Sequence, residues 1–199
     1  FSIDKLPDIF RAIELNNKLP LVRLPNKKKE ISAQALDAGS GGVIIPNINS
    51  AIELENIKQA CYFPSKGRRG VGFSRSNLFG KRFKIFKTRP IIIAMIENAV
   101  GVNNLEEILS VDGLDAILIG PYDLSSSMGM TGKFDNAKFK KTINHIKVLA
   151  KKKKIACGIH VMEPKNKNLK SFIKSGFLFL PYATDALLLN DSISRSFTK

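Results

Sequence analysis

The sequence has no tryptophan, only two cysteines and two histidines, and 17 acidic residues against 32 basic ones. Each shortage excludes something. Cys61 and Cys157 lack the paired Cys or His spacing of a zinc site, and two thiols cannot form a disulfide scaffold. Cys61 lies in a helical pattern and Cys157 in an apolar strand, so both are expected to be buried thiols in a reducing, cytoplasmic protein. Long apolar runs are missing too. The longest, Ile91 to Ile96, is strand-sized and far below the roughly 18 residues of a membrane span, so no membrane partner is expected. No basic segment followed by an apolar one marks a signal peptide. The first residue is Phe1 rather than Met, and the true beginning is expected to lie upstream.

The shortage of acid leaves a net charge of +15. Such a charge raises the question of a nucleic-acid partner. The lysines answer it. They cluster at Lys27–Lys29 and Lys151–Lys154, beside helical patterns and without the interleaved aromatics of a base-stacking groove. A solvated lysine-rich surface is the expectation, and a nucleic-acid partner is not.

What is present is the composition of a soluble globular domain, 44% hydrophobic and 25% charged, long enough for one core. Residues 1–199 read as a single domain. Short apolar strands alternate with helical periods along it. Leu19–Leu24, Gly42–Pro46, Ile91–Glu97, Ala116–Gly120, Ile155–His160 and Phe177–Pro181 read as strands, rich in Ile, Leu and Val. They show little polar alternation, as strands covered on both faces do. Between them, Ser50 and Glu53 have capping-box spacing ahead of a helix towards Cys61. Asn103 or Asn104 is a candidate cap for a helix carrying Leu105, Ile108 and Leu109. Phe139, Ile143, Ile146 and Ala150 make the apolar stripe of a long helix. Its tail, Lys151–Lys154, sits where cations suit a helix C-terminus.

Strand–helix alternation of this kind builds a doubly wound sheet or a (β/α)8 barrel. A dinucleotide-binding sheet wants a Gly-rich turn directly after a strand. Here Gly67, Gly70 and Gly72 follow a helix instead, so a (β/α)8 TIM barrel is the expected α/β fold.

Reacting groups of barrels sit at the C-terminal ends of strands. Those positions hold Arg23, Asn47, Glu97, Asp123 and His160. Glu97 and Asp123 lie 26 residues apart, yet at neighbouring strand ends they would meet. Two carboxylates, with other positions left to water and substrate, suit Mg2+ or Mn2+. Plainer roles fit the same residues. Asp123 could cap a turn at Leu124–Ser127, Glu97 could pair with a lysine, and Arg23 could form a salt bridge. His160 reads more readily as a core or supporting histidine than as a ligand, and His145 as surface.

Several motifs fall in order along the chain: Leu21–Val22–Arg23–Leu24–Pro25, Gly42–Val43–Ile44–Ile45–Pro46, Arg69–Gly70–Val71–Gly72, Ile96–Glu97, Gly120–Pro121–Tyr122–Asp123–Leu124–Ser125, and Gly129. In these the sequence resembles the HpcH/HpaI aldolases, metal-dependent (class II) pyruvate aldolases of the phosphoenolpyruvate/pyruvate barrel superfamily, over essentially its whole length. The resemblance implies that Glu97 and Asp123 bind a divalent metal ion, Mg2+, Mn2+ or Co2+. It implies that Arg23 contacts the carbonyl end of pyruvate and is the catalytic cation. The backbone amides of Tyr122 and Asp123 would bind the pyruvate carboxylate.

The activity implied is cleavage of a 2-keto-3-deoxy or 4-hydroxy-2-oxo acid to pyruvate and an aldehyde through a metal-stabilised enolate. The partners implied are the keto acid, the aldehyde and further copies of the chain in a trimer or hexamer. A C-terminal helix over Ala183–Phe197 would dock on a neighbour. Two departures stand out. Many members carry Gln two residues before the metal glutamate, where this chain has Met95. The family's histidine base corresponds to a position upstream of Phe1, and with six strands counted, the first two of the barrel are expected to be missing. Asn47, Arg69, Phe73 and Ser74 are candidates, by position, for shaping aldehyde specificity. Two alternatives remain at this stage: a synthase using the same enolate on another acceptor, and an inactive basic barrel that binds nucleic acid.

Overall fold

The structure is a computed structural model and describes residues 2–82, 89–163 and 166–197. Its centre is a parallel sheet of five strands, β1 (Leu21–Arg23), β2 (Gly42–Ile45), β3 (Ile91–Ile96), β4 (Ala116–Ile119) and β5 (Ala156–Ile159). They lie side by side in chain order, β1-β2-β3-β4-β5. A sequential parallel order is that of a barrel wall. A doubly wound sheet reverses direction at a switch point, and none occurs here.

Helices return the chain between strands. They are α1 (Leu6–Leu15) before β1, α2 (Lys29–Asp37), α3 (Ala51–Cys61), then α4 (Ala99–Asn103) and α5 (Leu105–Ile108). After β4 come α6 (Pro121–Ser127) and α7 (Ala137–Lys152), and after β5 come α8 (Asn166–Lys174) and α9 (Asp185–Phe197).

The sixth expected strand, Phe177–Pro181, is only partly formed. It pairs through two isolated parallel bridges, Gly158 with Phe179 and Val161 with Tyr182. Gly158 permits this approach, because a Cβ there would meet the Phe179 carbonyl oxygen at 2.4 Å.

Strands β2 to β5 are covered on both faces, which explains their missing polar alternation, while β1 is half-buried at Leu21 and Val22 and exposed at Arg23. Ile44, Ile93, Met95, Ala116 and Leu118 form one layer, joined by Leu21, Ile91, Ala156 and Phe179. Their neighbours Val43, Ile45, Ile92, Ala94, Ile96, Ile117, Ile119, Cys157 and Ile159 belong to the larger core under the helices. The long helix buries Phe139, Ile146 and Ala150, with Ile143 half-buried. Its basic tail, Lys151 and Lys152, forms the last turn.

Local capping differs from expectation at two places. Ser50 accepts from the Glu53 amide as its spacing predicts, while the Glu53 carboxylate accepts from Asn49 N–H, one residue earlier than a standard box. Asn104 sits at the start of α5 without capping it, and its side chain donates instead to the Asn49 carbonyl at 2.7 Å. Asn98 caps α4. Both asparagines therefore serve the C-terminal end of the sheet.

Candidate active site

Alternation along a strand decides which way the strand-end residues point. Leu21 faces the inner layer, so Arg23 does too. Ile93 and Met95 face it, so Glu97 continues the series. The same count puts Gly120 on the inner side after Leu118, and His160 after Ala156 and Gly158. The register aligns Met95 with Leu118 and Ile96 with Ile119, which brings Glu97 level with Gly120.

Gly120 is needed at that level. A Cβ on it would stand 2.9 Å from Glu97 Oε2 and 3.1 Å from Glu97 Cβ. The same Cβ would be 3.6 Å from Met95 Cε. Met95, in the inner layer two residues before Glu97, brings an apolar side chain to that level where the family resemblance implies a Gln.

Glu97 is 7% exposed. Its Oε1 accepts from the backbone N–H of Asn47 at 2.8 Å, and its Oε2 is buried without a hydrogen-bond partner. Among the described residues neither a lysine nor an arginine forms an ion pair with it, so they give no support to the plain ion-pair role. A buried carboxylate oxygen left unpaired costs several kcal/mol unless something else satisfies it. Burial is the chief cause that raises the Glu97 pKa above the usual carboxylate range. The Asn47 amide and the Arg23 charge oppose the rise, and the Asp123 charge adds to it. Arg23 and Asp123 therefore stand close enough to Glu97 to act on its ionisation.

Asp123 is exposed, in the first turn of α6. It is inside the helix rather than capping it; Gly120 occupies the cap position and Pro121 starts the helix. The N–H groups of Tyr122 and Asp123 lie in the first turn, where no intrahelical acceptor exists. The Tyr122 ring is held edge-on against Phe134, centroids 4.9 Å apart at 84°. Arg23 forms no ion pair among the described residues, and its one side-chain hydrogen bond reaches the neighbouring Leu24 carbonyl at 3.4 Å. His160 is half-buried. Burial lowers its pKa and the Arg23 charge adds to the fall, against a hydrogen bond to the Ala183 backbone.

Arg23, Glu97, Asp123 and His160 thus share the C-terminal end of the sheet, with Asn47 beside them. Arg69, Phe73 and Ser74 do not join them. The Arg69 guanidinium, buried over the Phe63 ring at 4.4 Å, bonds Asp37 at the end of α2. Ser74 caps a short turn over Arg75–Asn77, and Phe73 is largely exposed. Sequence reasoning missed Lys27, which was read only as part of a solvated run. Its ammonium reaches the Asn47 carbonyl at 3.1 Å and pairs with Glu53.

The donor set fits a divalent cation. Two carboxylates of different elements converge, one with an unsatisfied buried oxygen, and hard oxygen ligands suit Mg2+, Mn2+ or Co2+. Among the described residues no group of three or more His, Cys, Asp and Glu side chains gathers, so water and substrate would complete the coordination.

Comparison with known proteins finds a matching family and relatives. The profile of the HpcH/HpaI aldolase/citrate lyase family matches residues 3–191. A hydroxypyruvate/pyruvate aldolase of Roseobacter denitrificans is 29% identical over 195 residues, covering 95% of this chain and 75% of that one. A 5-keto-4-deoxy-D-glucarate aldolase of Salmonella arizonae is 30% identical over 178 residues, covering 87% of this chain and 69% of that one. In fold, the chain superposes on an HpcH/HpaI aldolase/citrate lyase family protein from Burkholderia cenocepacia J2315. The TM-score is 0.92 at 24% identity, over 98% of this chain and 79% of that one.

Proposed function

The chain belongs to the HpcH/HpaI aldolase/citrate lyase family, and we propose that it is a carbon–carbon lyase releasing pyruvate and an aldehyde from a 2-keto-3-deoxy or 4-hydroxy-2-oxo acid. The observation that carries this reading is the partnerless buried Oε2 of Glu97, within electrostatic reach of Arg23 and Asp123.

Glu97 and Asp123 would hold the divalent cation, which when bound supplies Lewis-acid polarisation of the keto acid carbonyl. The other roles fall to the chain itself. The first-turn amides of Tyr122 and Asp123 receive the substrate carboxylate at the helix N-terminus, where the peptide dipoles favour an anion. Arg23, free of ion pairs among the described residues, places its positive charge where negative charge develops on the former carbonyl oxygen. The C4 hydroxyl proton leaves to a base and the C3–C4 bond breaks. Its electron pair passes into the enolate of pyruvate, and the aldehyde departs. A proton delivered to C3 completes pyruvate. His160, whose pKa burial lowers, bonds the Ala183 backbone and orders the rim of the site.

We infer assembly from α9. It leaves Leu188, Leu189, Ile193 and Phe197 exposed, an apolar surface that a neighbouring subunit of a homo-oligomer, a trimer or hexamer, covers. Sedimentation at micromolar concentration tests that point. The cytoplasmic setting rests on the free thiols of Cys61 and Cys157, both buried.

The activity is tested by incubating purified protein and Mg2+, Mn2+ or Co2+ with a panel of such acids and measuring pyruvate. Release that depends on the metal supports the proposal. No release from folded, metal-loaded protein overturns it, and condensation products from oxaloacetate, phosphoenolpyruvate or acyl-CoA would make it a synthase.

A further inference from the structure

The turn after β2 is held in an unusual conformation, and what holds it lies outside the site. Asn47 has φ +48°, the left-handed region that a residue with a side chain enters only when its surroundings over-determine it. Its N–H is the one that binds Glu97 Oε1. Lys27, in the loop after β1, donates to the Asn47 carbonyl at 3.1 Å and pairs with Glu53. Glu53 in turn accepts from Asn49 N–H at 2.9 Å, and the Asn49 side chain donates to Asn47 Oδ1 at 3.2 Å. Ile48 N–H reaches the Met95 carbonyl at 3.1 Å, which anchors the turn on β3. Asn47 is thereby gripped at its carbonyl, its side chain and its successor.

We propose that Lys27 is a positioning residue for the metal site: by clamping the Asn47 turn it keeps one oxygen of Glu97 occupied and the other presented to the cation. The inference rests on the reading of Glu97 as a metal ligand. Among the described residues Lys27 bonds Asn47 and Glu53 and not Glu97 itself. Its side chain is 31% exposed and its partner Glu53 is 35% exposed, so its ammonium is only partly screened by water. Bonds that orient a ligand typically change metal affinity by about 10–100-fold when removed.

The experiment is a Mn2+ titration of the full chain, followed by the electron paramagnetic resonance of free Mn2+. Native protein, Lys27→Met, Lys27→Arg, Glu53→Gln and Glu97→Gln are compared, with the pyruvate assay run across the same metal range. Lys27→Met is expected to weaken Mn2+ binding about 10–100-fold. Near-native kcat should return at saturating Mn2+, which general structural damage would not allow. Lys27→Arg, which keeps a charged donor, recovers much of the affinity. Glu53→Gln, which loosens the ion pair while leaving a folded helix cap, weakens binding several-fold, and it carries the test if Lys27→Met does not fold. Native Mn2+ affinity in Lys27→Met or, failing that, in Glu53→Gln overturns the role of Lys27. A native protein that binds no Mn2+, indistinguishable from Glu97→Gln, overturns the reading of Glu97 itself.

Discussion

At the N-terminal end of the sheet, Arg89 meets Asp115, Arg69 meets Asp37 and Arg75 meets Glu14. At the C-terminal end, the charges of Arg23 and Asp123 act on Glu97, and no ion pair among the described residues joins the three. The arginines of the first group are neutralised, and two of them are also bonded to backbone. Arg89 donates to the Gly113 carbonyl and Arg75 to that of Ala38. Asp115 further accepts from Ile92 N–H at 2.9 Å, tying the starts of β3 and β4. Charge at this end is used up in holding the wall together. At the other end a buried carboxylate oxygen is left over, and a left-handed turn is maintained beside it. Unsatisfied groups in a folded chain lower its stability, so the survival of a buried, partnerless carboxylate oxygen points to a ligand that satisfies it. In a barrel, conservation of stability and of chemistry at opposite faces follows the same division.

Substitutions at the two ends should therefore separate activity from stability. The largest effect is expected at Asp123→Asn, with pyruvate release falling about a thousandfold, the rate equivalent of several kcal/mol of lost charge stabilisation. Because Asp123 is exposed, its unfolding free energy should stay within about 0.5 kcal/mol of native. Arg23→Lys follows. It keeps the charge but loses the planar fork, and a loss of about 100-fold in kcat/KM with little change in melting is expected. Asp115→Ala reverses the pattern. It orphans the buried Ile92 amide and should cost about 1–3 kcal/mol in urea unfolding, while kcat of the folded fraction is retained. An Asp115 variant that loses turnover without losing stability would break the contrast between the ends.

The smallest effect concerns the core between them. Burial pushes the thiols of Cys61 and Cys157 up to about 12. At pH 8 both stay protonated, and neither should react with a disulfide reagent until urea exposes them. The sign with pH follows. An unfolded thiol ionises near 9.0, whereas the buried one does not until about 12, so stability declines as pH rises through that interval. Labelling of native protein at pH 8 would show a looser core than the structure has.

Much of this was legible in the apolar pattern. Five of six expected strands form with ends within two residues of expectation, because a strand covered on both faces must be apolar throughout. The period of two then aims Arg23 and Glu97 inward without further information. Phe177–Pro181 was harder. Its sequence is as apolar as β4, yet only two bridges form, and pairing depends on the close approach of Phe179 to Gly158, which composition does not encode. The residues around the carboxylates were legible in part. Glu97 and Asp123 follow from strand ends, whereas the Lys27 ammonium finds its partners 20 and 26 residues away, and no local pattern distinguishes it from Lys28 or Lys29. Arg69 is the matching case. Its position in the sequence made it a candidate for shaping aldehyde specificity, while the chain folds it onto Phe63 and Asp37.

The most direct test is pyruvate release and thermal unfolding measured together on native protein and Glu97→Gln, with and without Mn2+. The account predicts metal-dependent release in native protein, abolished in the variant. It also predicts a melting temperature equal to or above native in the metal-free variant, since a neutral amide replaces a buried, incompletely paired charge. Undiminished release by Glu97→Gln, or a metal-free variant markedly less stable than native protein, would contradict it and make Glu97 a structural residue like those at the opposite end.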